Sequence, residues 1–449
     1  MKFCFLLSLL LSTTAFANLH LAPPDFNNEQ GRAVFVDFLE AEYNITYNVF
    51  WKRTSVKSKI TFVATKNGSP VFDLIPSIKN ASLNGQPVSI AEITAPDGSK
   101  LRQVQAVVEP GTHTLEIENS FKSNVRYSLL RRRVSSAFWI RDLKSRKFLE
   151  QYVPSNFEYD QYKMIMNVRF SGIKTARQDI YTNGEVKQTS ANSYRIEFPE
   201  YFTVSCPYFH TTPKGQKKRI DFTYKSIDGR DLPVTVYTSW WSRPGKFKKE
   251  AEKIFKELEA DYGPWGHRGL VAYETFPGTG GMEHAGATQT SLGALDHEML
   301  HSYFAKGVMP ANGNSGWIDE AIASWRDYGY QRKPLPEFSG SDLGKGSVYQ
   351  RNTDSRAYAL GREFMAYLDY RLQDRGGLKA FLKGYFQTYK HTVVTQEHFK
   401  NNLEFFSGLD LTDDFNKYIW GENEEELHSD HEVSPAHKPL NRSQLEAIL

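Results

Sequence analysis

A chain of 449 residues, 40% of them hydrophobic and 24% charged, can build ordinary hydrophobic cores without disulfide staples. Its 55 Lys and Arg against 52 Asp and Glu leave a formal charge of +3, too small an excess to argue for a nucleic-acid partner. The two cysteines are Cys4 and Cys206; loss of Cys4 with an N-terminal leader would exclude an internal disulfide from the mature chain.

Met1-Lys2, the apolar run Phe3 to Leu11 and the small-x-small stretch Thr14-Ala15-Phe16-Ala17 read as a secretory signal peptide over residues 1–17. This predicts export, to a bacterial periplasm or the extracellular space. No later stretch has about twenty continuous apolar residues, which predicts no stable membrane insertion once the signal is removed.

Residues 18–208 read as an N-terminal β-sheet-rich, sandwich-like domain. Short runs such as Ile60 to Ala64, Leu101 to Val108, Thr114 to Ile117, Tyr194 to Phe198 and Phe202 to Val204 predict strands. Asn67-Gly68, Asn84-Gly85, Asp97-Gly98 and Asn183-Gly184 supply turn chemistry between such runs. The basic clusters Arg131-Arg132-Arg133 and Lys217-Lys218-Arg219 read as solvated faces.

A basic stretch with Gly and Pro, around Pro213 to Lys218, marks a change of pattern, and residues 209–422 read as a second, α+β domain. Strands are expected at Ile220 to Tyr224 and Leu232 to Thr238. A helix starts near Phe247, where Ala251, Ile254, Phe255 and Leu258 form an apolar stripe. Further helices are expected over Ser291 to Phe304, Trp317 to Tyr328, Ser355 to Leu372 and Leu378 to Tyr389. The remainder, 423–449, is a polar tail whose composition fits disorder; His428, His431 and His437 belong to it.

His297-Glu298-Met299-Leu300-His301 places two imidazoles four residues apart, one above the other on a helix, with a carboxylate one step round the cylinder. Eighteen residues intervene before Glu320, in a second expected helix, and the Gly-, Pro- and Asn-rich stretch Gly307 to Ser315 can reverse the chain between them. Two histidines and one carboxylate leave a fourth position open, the ligand set that one catalytic Zn2+ requires. Glu298 then stands beside the water as general base. A structural alternative, in which the histidines satisfy core hydrogen bonds and Glu320 caps a surface, leaves the base-bearing spacing without a reason. Asp319 is a weaker ligand candidate, and Ser324, one turn beyond Glu320, could support the ligands by a hydrogen bond.

These residues resemble the gluzincin metallopeptidases, and most closely their M1 aminopeptidase family. Gly280-Gly281-Met282-Glu283-His284 is similar to the family's Gly-x-Met-Glu-Asn motif, and Tyr358-Ala359-Leu360-Gly361 to the segment bearing its catalytic tyrosine. The resemblance implies a thermolysin-like domain behind the β-rich one, with Glu283 recognising a substrate's free α-amine and Gly280, Gly281 and Met282 lining the peptide. It implies that Tyr358 steadies the oxyanion and that Gln151 reaches the amine site from the end of the first domain. By the residues alone, Gln151 fits equally well on a surface loop with Glu158 and Asp160. His284 departs from the M1 motif and is similar instead to Gly-Gly-Leu-Glu-His of the M61 glycyl aminopeptidases, while Ala321 replaces the common Gly after Glu320. The short stretch after Tyr358 predicts a chain without the full M1 C-terminal helical domain, and an open cleft. The expected function is zinc-dependent aminopeptidase action on oligopeptides with a free N-terminus. The alternatives are a gluzincin endopeptidase and a non-catalytic exported peptide-binding protein.

Overall fold

The computed structural model describes residues 18–130, 132–140, 147–173, 178–240, 242–276, 280–349 and 352–421. The expected signal peptide and the tail 423–449 lie outside the described residues. The centre of the first region is an eight-stranded sheet in which Asp37–Asn48 pairs antiparallel with Arg53–Ala64 and parallel with Lys163–Ser171. Alternation decides its inner face: Ala41, Tyr43, Ile45 and Tyr47 are buried opposite Val56, Ile60, Phe62 and Ala64. A five-stranded and a four-stranded sheet complete this region.

Two expectations change here. The strand expected to run from Leu101 to Val108 covers only Lys100–Val104. Phe202 to Val204 forms turns, with Phe202 N–H donating to Pro199 O and Cys206 N–H to Thr203 O. The Thr203 hydroxyl binds Glu158, so this apolar segment is buried through a side-chain anchor and not through a ladder.

Phe209–Pro213 still pairs with strands of the first region, Arg133–Ala137 and Gln178–Thr182. Lys218–Lys225 opens the second region's five-stranded sheet, so the handover falls within 214–217. In this mixed sheet Lys218–Lys225, Asp231–Thr238, Leu270–Glu274, Ala287–Thr290 and Met282–His284 lie side by side, with the last at the edge. Helix α1 (Pro244–Tyr262) covers the sheet with Phe247, Ala251, Ile254, Phe255 and Leu258, the expected stripe. Pro244 suits its first turn, and Gly263 at φ 98° ends it.

Helix α2 (Leu295–Leu300) is much shorter than the span expected from Ser291 to Phe304. A 3-10 turn precedes it, and after His301 the chain tightens, with Tyr303 N–H donating to Leu300 O and Lys306 N–H to His301 O. Ala305 at φ 138° ends any helical path. Helix α3 (Trp317–Asp327) matches its expected span to within one residue. Tyr358 lies on a 3-10 turn (Ser355–Tyr358) ahead of helix α4 (Leu360–Arg371). Helix α5 (Gly377–Tyr389) follows as expected, whereas helix α6 (Gln396–Ser407) was not anticipated. Its signals are local: the Thr395 hydroxyl caps His398 N–H, and Gly408 at φ 72° closes the end. Trp317 and Phe364 lie in the core these helices share with α1. Among the described residues no helix is long and apolar enough to cross a membrane.

Candidate metal centre and active site

Helix α2 puts His297 and His301 one turn apart, and the return of the chain through 307–315 brings the first turn of α3 against them. The two Nε2 atoms lie 3.1 Å apart, and Glu320 Oε2 is 3.2 Å from His297 Nε2 and 3.4 Å from His301 Nε2. One ligand atom from each residue falls within 4.8 Å of the others. The far sides of both rings are occupied: His297 Nδ1 meets Asp327 Oδ2 at 2.6 Å and His301 Nδ1 meets Phe304 O at 3.2 Å. Both partners are acceptors, so the protons belong on Nδ1 and the Nε2 lone pairs converge on one point. This donor set fits a divalent cation of the zinc type.

The electrostatics of the metal-free cluster agree. Burial pushes the His297 and His301 imidazoles down, but the carboxylates beside them win, holding His297 at about 11 and His301 at about 9. Glu320 is held well below the usual range, against its burial, by the two histidines. Burial, helped by the Glu283 charge, pushes Glu298 up to about 8, against the pull of His301 and His297. The pocket thus gathers protons where it could gather a cation.

Glu298 packs against the edge strand. A Cβ placed on Gly281 would collide with Glu298 Oε1, so glycine at this position lets the strand backbone approach the base. Gly280 has φ 71°, a conformation that favours glycine, with open space around it. In Met282–His284, paired antiparallel with Ala287–Thr290, Met282 packs against the first region's core. Glu283 is buried, with Oε1 3.3 Å from the Nζ of Lys306. His284 is fully buried, and its Nδ1 lies 3.1 Å from Pro207 O. Burial pushes its imidazole down to about 3, so this departure from the M1 motif is a neutral tie to the first region.

Tyr358 joins the cluster, its hydroxyl donating to Glu320 Oε1 at 2.7 Å and its ring stacked on His297 at 6.1 Å. The Gln151 side chain instead donates through Nε2 to Trp139 O (2.7 Å) and Phe148 O (3.2 Å), both within the first region. Glu158 and Asp160 are buried, not on a surface loop, because each accepts hydrogen bonds from inside the fold. Asp319, the weaker ligand candidate, is buried and its Oδ1 accepts Glu320 N–H.

Sequence reasoning missed Asp327 and Lys306. Asp327 lies seven residues after Glu320, two turns along the same face of α3, and that spacing was a usable signal. Lys306 had no such signal, because the turn that aims it at Glu283 is not helical.

The whole has the fold of the M1 zinc metallopeptidases. A variant of the enzyme of that name from Deinococcus radiodurans superposes with a TM-score of 0.62 at 15% identity, over 90% of this chain and 96% of that one. The native leukotriene A4 hydrolase of yeast gives 0.62 at 15% identity, over 87% of this chain and 69% of that one. Aminopeptidase A of Legionella pneumophila, in complex with aspartic acid, gives 0.62 at 13%, over 86% of this chain and 50% of that one. No family model and no curated relative matches the sequence. The Deinococcus protein has also been seen bound to a Tyr-Ser-Ala substrate.

Proposed function

We propose that the protein is a zinc-dependent hydrolase of the M1 type, exported by its N-terminal segment, that removes N-terminal residues from oligopeptides. The observation that carries this reading is the convergence of His297, His301 and Glu320 beside a buried Glu298 that faces an edge strand. Zinc held by those ligands would supply Lewis acidity, lowering the pKa of a water and polarising a carbonyl. Glu298 takes the water's proton and returns it to the leaving amine. A nearby cation would draw its carboxyl down from about 8 into the range of a base at neutral pH.

The Tyr358 hydroxyl swings from Glu320 to the carbonyl oxygen as charge develops there. Peptide backbone adds to Met282–His284, the last strand in the sheet order, and Gly280 and Gly281 leave it room. Glu283 fixes the substrate ammonium, which would register the first peptide bond beside Glu298. The fold supports this reading through the Legionella aminopeptidase that shares it.

One observation favours the endopeptidase reading: Glu283 already has an ammonium neighbour in Lys306. Paired peptides with free and acetylated N-termini separate the two. Strong preference for the free amine supports aminopeptidase action, and equal cleavage removes it. Glu298→Gln should keep fold and zinc while hydrolysis falls by about 10²–10⁴-fold. Retained turnover would refute Glu298 as the base.

A further inference from the structure

Lys306 is 1% exposed, and its Nζ lies 2.9 Å from Ser205 Oγ and 3.3 Å from Glu283 Oε1. The Ser205 hydroxyl in turn donates to Glu158 Oε2 at 3.1 Å, and the Thr203 hydroxyl donates to the same oxygen at 2.9 Å. One buried ammonium thereby meets a buried carboxylate of its own region directly and one of the first region through a hydroxyl. Burying such a group is expensive, and a well-packed apolar side chain would stabilise the fold at least as well. The backbone is strained to deliver it: Ala305, the preceding residue, has φ 138°, a conformation that favours glycine. The strained Ala305 and the buried charge of Lys306 are adjacent, and Lys306 touches Glu283.

We infer that Lys306 is a positioning residue that holds the Glu283 carboxylate in one orientation for the substrate's N-terminal ammonium, with Ser205 and Glu158 of the first region as its anchor. Lys306 Nζ gives the buried Glu283 carboxylate a polar partner, which a buried carboxylate requires. Its division between Glu283 and the Ser205–Glu158 arm keeps it from cancelling Glu283 outright. The position of the first region therefore enters peptide recognition through a hydrogen-bonded arm, in addition to any direct contact with substrate. The inference rests on the aminopeptidase reading, and the test separates the two.

The experiment measures kcat and KM for one peptide, free and N-acetylated, on the zinc-loaded full chain. Wild type, Lys306→Met, Ser205→Ala and Glu283→Gln are compared, with zinc content and melting temperature measured for each. Lys306→Met should raise KM for the free peptide by about tenfold or more, with kcat changed by less than about threefold. Its kcat/KM for the acetylated peptide should stay near wild type, so that discrimination collapses toward that of Glu283→Gln. Ser205→Ala, which keeps the charge pair and loses only the anchor, should raise KM by about threefold.

A Lys306→Met protein that binds zinc and melts lower, yet keeps the wild-type KM and discrimination, overturns the positioning role and leaves the aminopeptidase reading intact. Should that variant fail to fold, an unchanged KM in Ser205→Ala overturns it. Absence of discrimination in the wild type, with no change in Glu283→Gln, removes the aminopeptidase reading and this inference together.

Discussion

Both regions bury pairs of interacting ionisable groups, and they resolve the cost in opposite ways. In the first region Asp37 and Asp160 lie together. Burial, joined by the charge of Asp37, raises Asp160 well above the carboxylate range, and burial pushes Asp37 up to about 6. Asp160 Oδ2 accepts Phe38 N–H at 2.9 Å and also takes a hydrogen bond from Asn156 Nδ2. Both carboxyls are thus pushed toward the neutral form. In the second region Glu320 is as deeply buried but is held well below its usual range, because two imidazoles face it. Burial alone therefore does not mark a reactive site. What the carboxylate faces decides whether it takes a proton or waits for a cation.

The comparison can be broken at several points. His301→Ala should abolish stoichiometric zinc binding, whereas Asp37→Asn should leave one zinc per chain; metal analysis after dialysis reads both. Loss of zinc in the Asp37 variant would erase the distinction. Tyr358→Phe should lower kcat by about 10²–10³-fold with zinc retained, the scale of one lost oxyanion donor. Unchanged turnover would reduce Tyr358 to a partner of Glu320. Asp327→Ala, which strips His297 Nδ1 of its acceptor, should weaken zinc binding by about 10–100-fold in a competition titration. An unchanged affinity would show that packing alone orients the ring.

The smallest effect is on stability. A buried carboxyl raised above its unfolded value favours the folded state while protonated. The contribution of Asp37 is thus fully present below 3.8 and is lost as pH rises through about 6. Asp37→Asn should flatten that part of the denaturation profile. A profile as steep as that of the wild type would assign the slope to other groups.

Much of this was legible before the fold. The α1 stripe and the span of α3 follow from 3.6-residue periodicity, which survives folding because each helix buries one face. The candidate metal ligands His297, His301 and Glu320 were legible because helical spacing and one loop reversal suffice to bring them together. Helix α2 was overdrawn because its apolar flanks, Tyr303 and Phe304, pack from turns and not from a continued helix. Phe202 to Val204 read as a strand because apolar character does not distinguish a ladder from a buried turn. Glu158 and Asp160 read as surface charges because no local pattern discloses a partner as distant as Phe38 or Thr203.

By itself the sequence determined what depends on neighbours along the chain: the helix faces, the turn glycines, and the candidate ligand set of His297, His301 and Glu320 with Glu298 beside it. Tertiary structure decided what depends on approach between distant segments. It showed that Gly281 is needed because Glu298 packs against it, that Asp327 reaches His297, and that Lys306 joins Glu283 to Ser205. The reason is physical. Periodicity records which face of an element is buried, whereas a contact between two buried polar groups is set by where the backbone turns, here at a strained Ala305 that no residue pattern announces.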